Sequence, residues 1–275
     1  MAMTGDSTKA AVQEYFDRDT AGYLQTYLVQ DGSIRSEIFR ERRRLVMECL
    51  EDPVGDTLNV GSGPGVFAHL LLERCMECWM VDLSLEMVRA GRRLVAAHPR
   101  ASRIHYQVAD VEALPFRGRV FDTTLCIGVL QYLPTPDLAL RELSRVTHIG
   151  GQVIVSFPNA DSPLNRLHQR LIHMARLGRD ALRRIGIELH PHPSRLSFRD
   201  DIPNRLLGMS EVERLGRDAG LEVTQAHCFS LHFPFVIPGC RTLLRGWDHL
   251  ADRLVDVRRM PRWGREAIMC FRRRA

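Results

Sequence analysis

Lysine is almost missing from this chain: of 38 lysine and arginine residues Lys9 alone is lysine, and the formal net charge is +5. Such an arginine bias fits a GC-rich genome better than a selected nucleic-acid surface, because a basic balance alone says little about partners. The chain has no Lys/Arg-rich tail and no basic ribbon interleaved with aromatics, so no nucleic-acid partner is expected. Long apolar runs are missing too. The longest uncharged apolar stretch, Cys228 to Cys240, contains His232, Pro234 and Pro238 and falls short of the ~20 residues that a spanning helix needs. The opening MAMTGDSTKAAVQEYF lacks the apolar core of a secretory signal. Seven cysteines form no regular framework, which fits a reducing compartment and makes the cytoplasm the expected location. Cys75 and Cys78 have the spacing of half a zinc site, but no second pair accompanies them, so they read as buried structural thiols. His190 and His192 lack the third and fourth ligands of a zinc site. No metal is expected.

What is present is an ordinary globular composition, 45% hydrophobic over 275 residues, enough for one domain with insertions. Residues 1–56 read as a helical cover carrying the aromatic anchors Tyr15, Phe16, Tyr23 and Tyr27. From Thr57 the rhythm becomes strand, turn, helix. Strands are expected at Thr57–Val60, Cys78–Val81, Ile104–Val108, Phe121–Ile127 and Gln152–Phe157, the last after a break at Gly150-Gly151. Helices are expected at Val66 to about Arg74, at Leu85–Ala97 and from about Asp137 to Thr147. Alternation of this kind predicts a doubly wound α/β sheet, mostly parallel, with seven strands. The remaining two strands are Leu221–Phe229 and about Glu266–Phe271. Between strands five and six a helix Ser210–Ala219 is expected, with Ser210 as N-cap, Glu213 completing a capping box and Gly220 as its stop. The core therefore comprises 57–158 and 206–275, interrupted by insertions at 159–205 and 234–260.

The first strand runs into Gly61-Ser62-Gly63-Pro64-Gly65. Glycines there let the backbone turn sharply and let a ligand approach main-chain atoms. A dinucleotide fingerprint G-x-G-x-x-G would need its third glycine at Val66; here it comes one position early, as Gly65, which argues against a nicotinamide-dependent oxidoreductase. Asp82 ends the second strand, where a carboxylate can accept hydrogen bonds from both ribose hydroxyls of an adenosine. Asp110 follows the third strand, where an acceptor can read an adenine amino group.

With these ordered markers the chain resembles the class I S-adenosylmethionine-dependent methyltransferases of the small-molecule type, which have a Rossmann-like fold. LNVGSGPG resembles the family's first motif, VDLS its second-strand acid, ADVEALPF its adenine segment, FDTTLCIGVLQYL its fourth-strand motif and IGGQVIVSFPN its fifth. The resemblance implies S-adenosyl-L-methionine as cofactor and S-adenosyl-L-homocysteine as product. It places Gly61, Gly63 and Gly65 at the methionine part, Asp82 at the ribose, Asp110 and Val111 at the adenine and Ile127 near the sulfonium, with Ser62, Leu83 and Met87 also among the cofactor-binding residues. Tyr15 and Tyr23 would close over the cofactor. Asn59 stands where the family often has an acid, and Gln131-Tyr132 where many members have a histidine, so no general base is assigned. No Asn/Asp-Pro-Pro-Tyr motif of nucleic-acid amino-methylation appears at the fourth strand.

The implied reaction is methyl transfer to an oxygen or nitrogen of a small-molecule acceptor, with Tyr132, His168, His190 and His192 as pocket candidates. Two alternatives are a membrane-borne quinone or lipid-like acceptor, and a catalytically silent cofactor-binding regulator. The insertion helix 164–185 bears on them. Leu164, Leu167, Leu171, Met174 or Ala175, Leu182 and Ile185 form an apolar stripe among arginines. That stripe should pack on the protein if the helix is a lid for a soluble substrate. It should meet a peripheral membrane surface if the acceptor is lipid-borne.

Overall fold

A computed structural model of the chain describes residues 5–28, 34–52, 54–184, 202, 204–231 and 263–275. Three helices come first, α1 (Gly5–Arg18), α2 (Thr20–Leu28) and α3 (Ile34–Cys49). The core follows as β1 (Thr57–Val60), α4 (Ala68–Leu72), β2 (Cys78–Asp82), α5 (Leu85–Val95), β3 (Ile104–Val108), β4 (Phe121–Ile127), α6 (Pro136–Val146) and β5 (Thr147–Pro158). α7 (Pro163–Arg184), α8 (Met209–Asp218), β6 (Leu221–Phe229) and β7 (Glu266–Arg273) complete it.

The seven strands lie in the order β3-β2-β1-β4-β5-β7-β6. β1 to β5 pair in parallel, and β7 runs antiparallel between β5 and β6. β1, most of β4 and the second half of β5 are buried on both faces and therefore read as near-continuous apolar runs. Leu58, Val60, Cys126, Val153 and Val155 pack on one face with Leu140 and Leu143 of α6. Met80, Leu125, Ile154 and Ile268 pack on the other with Val46 of α3 and Leu71 of α4. Strand order reverses between β1 and β4, which opens a crevice at the carboxyl ends of these strands. Cys75 and Cys78 are buried thiols.

Three local expectations are corrected. Gly150-Gly151 does not end an element: β5 already pairs at Thr147, and the register to β4 shifts between Phe121 and Thr123. Gly150, at φ +78°, lets the strand bulge and resume. Ser210 is not an N-cap. Gly208 holds that position, and the amide of Met209 donates to the Asp161 carboxylate at 2.9 Å, so α8 is capped from a distant loop. Glu213 pairs instead with Arg217, at 2.9 Å. The helix after the glycine loop is also shorter than expected, beginning at Ala68.

α7 matches its expected span, but the buried face is polar. Asn165 and His168 turn inward. The Arg265 guanidinium donates from Nε to Asn165 Oδ1 at 2.8 Å and lies 3.1 Å from His168 Nδ1. The amide of Asn165 donates to the carbonyls of Asn159 and Arg265. Leu167, Leu171 and Met174 of the apolar stripe stand 42%, 41% and 63% exposed, as does Leu177 at 52%. The side chains of Leu182 and Ile185 lie outside the described residues, as do the insertion segment 234–260 and the loop with His190 and His192. Among the described residues no helix is long and apolar enough to cross a membrane.

Candidate functional site

The carboxyl ends of β1, β2 and β4, the loop after β3 and the helix α1 line one open cavity. Its floor is the glycine loop. Gly61 and Gly63 have φ of +63° and +55°, a conformation in which only glycine is unstrained. At Gly63 a Cβ would meet the Tyr23 ring at 3.5 Å, so Tyr23 stands over the loop. Asn59, Gly61, Ser62 and Gly63 line the cavity.

Asp82 sits at the centre. Its carboxylate accepts from the Gly63 amide at 2.7 Å and from the Ser84 amide at 2.9 Å. Burial pushes its carboxyl up from the ordinary 3.8 to about 6; the two amides oppose that rise and the nearby Asp17 adds to it. Next to it, Ser84 caps α5 by accepting from the Met87 amide at 3.1 Å. Asp110 receives Lys9 Nζ at 2.6 Å on one oxygen and the Glu112 amide at 2.9 Å on the other. Lys9 also pairs with Glu112. Burial alone would lower the Lys9 ammonium, but these two carboxylates outweigh it and hold it above the ordinary lysine range. The single lysine thus ties α1 to the end of β3. At its other end α1 is fixed by Asp17, which accepts from the Ser84 hydroxyl and the Glu86 amide.

The far end of the cavity lies beyond Ile127 and Gly128. Tyr132 packs against Phe16 with ring centroids 5.6 Å apart, and the Arg42 guanidinium donates to Glu266 at 2.8 Å. Gln131, Asn204 and Pro158 also line it. Arg42 Nη1 is the nearest side-chain atom to the space where a Gly128 Cβ would sit, at 3.3 Å.

Of the residues singled out from sequence, Tyr23, Gly61, Ser62, Gly63, Asp82, Leu83, Asp110, Val111, Ile127 and Tyr132 line this cavity. Four do not. Gly65, at φ +74°, leaves no room for a Cβ because the Tyr106 hydroxyl occupies that space, so it serves the packing of the turn. Tyr15 packs edge-to-face on Phe16 with ring centroids 5.4 Å apart, and Phe16 lines the cavity in its place. Met87 is buried inside the fold. His168 belongs to the Arg265 network under α7, where burial first and Arg265 second lower its basicity. His190 and His192 lie outside the described residues. Lys9, Arg42 and Glu266 were missed; Lys9 alone carried a signal, as the only lysine.

The fold is a doubly wound α/β domain with its cavity at the carboxyl ends of the strands. Residues 58–155 match the family model described as a methyltransferase domain, and that segment is a class I S-adenosylmethionine-dependent methyltransferase domain. The malonyl-acyl-carrier-protein O-methyltransferase of Erwinia billingiae is 39% identical over 105 residues, 38% of this chain and 39% of that one. The ubiquinone/menaquinone biosynthesis C-methyltransferase of Geotalea daltonii is 34% identical over 149 residues, 52% of this chain and 61% of that one. The chain thus matches about 40–60% of the length of these relatives. Among solved structures, the 4+2 cyclase SpnF has a TM-score of 0.65 at 18% identity, covering 100% of this chain and 98% of that one. Magnesium protoporphyrin IX methyltransferase from Synechocystis, with bound S-adenosylhomocysteine, has a TM-score of 0.58 at 16% identity, covering 97% and 99%. These two likenesses concern the fold alone. That one of them is a cyclase illustrates that this fold does not dictate its reaction.

Proposed function

We propose that the chain transfers a methyl group from S-adenosylmethionine to an oxygen or nitrogen of a small-molecule acceptor. One observation carries this reading: Asp82, Asp110 and the Gly61–Gly63 loop line the same cavity as Arg42, Gln131, Tyr132 and Glu266. The residues present fit the cofactor. Asp82 would hold the ribose hydroxyls, Asp110 and Val111 the adenine, and the Gly61–Gly63 backbone the amino-acid portion, with Tyr23 above it. Asn59 contributes a neutral amide in place of an acid. When bound, the cofactor supplies a methyl group on a positively charged, already electrophilic sulfur.

The protein's work is then positioning and exclusion of water. α1 serves both ends of the cavity, with Lys9 over Asp110 and Phe16 against Tyr132. At the acceptor end, Arg42, Gln131, Tyr132 and Glu266 offer donors and acceptors to orient a polar substrate. Glu266 and Tyr132 are the groups there suited to receive or relay a proton from a hydroxyl or ammonium acceptor. A second reading, methylation of a quinone or lipid-like acceptor, is favoured by the outward apolar face of α7. The test is incubation with methyl-labelled cofactor and a host metabolite extract. A compound that gains label supports enzymatic transfer and reveals the acceptor. Cofactor binding with no labelled compound would favour a silent regulatory partner instead.

A further inference from the structure

α7 has its inside and outside reversed relative to the usual amphipathic helix. Its inner contacts are polar: Asn165 and His168 are 4% and 6% exposed and are held by Arg265, itself 9% exposed. These bonds fix the first half of the helix to the start of β7 and the end of β5. Leu167, Leu171, Met174 and Leu177, all more than 40% exposed, lie about 120° apart at most around the axis, at 3.6 residues per turn. Arg166 and Arg170, also exposed, lie at one edge of that band, Arg170 within it and Arg166 about 20° beyond Leu177. The sequence of α7 carries six arginines and one acid, Asp180. A helix anchored at its first half, with an outward band of large apolar side chains and two exposed arginines at the edge of that band, is complementary to one kind of partner, a lipid surface bearing negative charge.

We propose that α7 is a membrane-docking helix that seats the Leu167–Leu171–Met174–Leu177 band in the interface of an anionic bilayer, with Arg166 and Arg170 at the headgroup level. The low mean hydropathy and the charges of this 22-residue helix do not permit spanning, so attachment is peripheral and reversible. Apolar burial supplies the hold, and the arginines supply preference for anionic lipid and sensitivity to salt. The proposal concerns this surface alone and does not rest on the cofactor or acceptor readings.

The experiment is flotation of the full chain with vesicles of phosphatidylcholine alone and of phosphatidylcholine with phosphatidylglycerol, at low and high salt. Three variants are compared: Leu171→Asp, Met174→Asp and the pair Arg166→Gln/Arg170→Gln. All four side chains are exposed, and circular dichroism with thermal melting checks that each variant folds as the parent does. Flotation of the parent with the phosphatidylglycerol vesicles at low salt, weakened at high salt, is expected. The two aspartate variants should lower the partition coefficient about tenfold or more, on the scale of losing one buried apolar side chain, and the arginine pair should flatten the salt dependence. The proposal is overturned if the parent stays with the unfloated fraction in every vesicle. It is also overturned if flotation is indifferent to the aspartate variants. Sedimentation analysis closes the remaining route: a dimer of the parent abolished by Leu171→Asp, without flotation, would show that a second copy covers this face.

Discussion

With Asp82 holding the ribose as proposed, cofactor affinity is expected to depend on pH, in a direction that follows from its carboxyl. Its carboxyl is buried and titrates near 6 instead of 3.8. In the folded chain without ligand the protonated form is favoured, so the folded state binds a proton that the unfolded chain has already released between these values. The sign follows: this group's contribution to stability is fully present below about pH 4 and is lost as pH rises through about 6, opposite to a salt-bridged aspartate. The gap corresponds to roughly 3 kcal/mol, at 1.36 kcal/mol per pH unit. Ribose hydroxyls donating to the carboxylate favour its ionised form and pull in the other direction. Cofactor affinity should therefore be flat above about pH 7 and fall by up to about tenfold per pH unit below about 6. Calorimetric titration with S-adenosylhomocysteine across this range, repeated in buffers of different ionisation enthalpy, measures both the affinity and the proton released on binding. Asp82→Asn keeps the shape and removes the titration; it should bind about 1–3 kcal/mol more weakly above pH 7 and lose the slope attributable to Asp82. A parent profile without a slope near 6, or an identical slope in Asp82→Asn, would refute the reasoning.

Gly65→Ala combines a strained φ with a clash on the Tyr106 hydroxyl and should cost about 2 kcal/mol of stability; urea unfolding measures it, and Tyr106→Phe should recover the clash but not the strain. Arg42→Met leaves Glu266 without its cation in a site where the two side chains are 16% and 14% exposed, so a loss of about 3 kcal/mol is expected. The double variant Arg42→Met/Glu266→Gln should regain most of it, and additive losses would contradict a coupled pair. Lys9→Met cuts the tie between α1 and the Asp110–Glu112 pair. Hydrogen exchange should then quicken in residues 5–18 while the sheet is unchanged; equal protection would mean that α1 is held by its other contacts.

The sheet was legible because parallel strands buried on both faces leave short apolar runs between helices. TLNV and FDTTLCI fall on β1 and β4 to the residue. What escaped depends on distant partners. The β5 bulge escaped because a glycine pair reads as a break unless the neighbouring strand is known. The cap of α8 comes from Asp161, 48 positions away from Met209, so the local Ser210/Glu213 pattern misled. At the site, the glycine loop and the two strand-end acids were legible from their order along the chain. Spacing along the chain cannot show that the Tyr106 hydroxyl backs Gly65. Arg42 and Glu266 stand 224 positions apart, and nothing local marks either. α7 announced its length through its periodicity, but an inward face of Asn165 and His168 becomes intelligible only when Arg265 is seen to meet it.

The central claim is that this cavity is an S-adenosylmethionine site and not a dinucleotide site. Its most direct test is side-by-side calorimetric titration of the chain at neutral pH with S-adenosylmethionine, S-adenosylhomocysteine and NAD. Binding of both adenosyl-sulfur compounds with micromolar-order affinity, weakened in Asp82→Asn, and no heat from NAD is the expected result. NAD binding with no response to either adenosyl compound would contradict it.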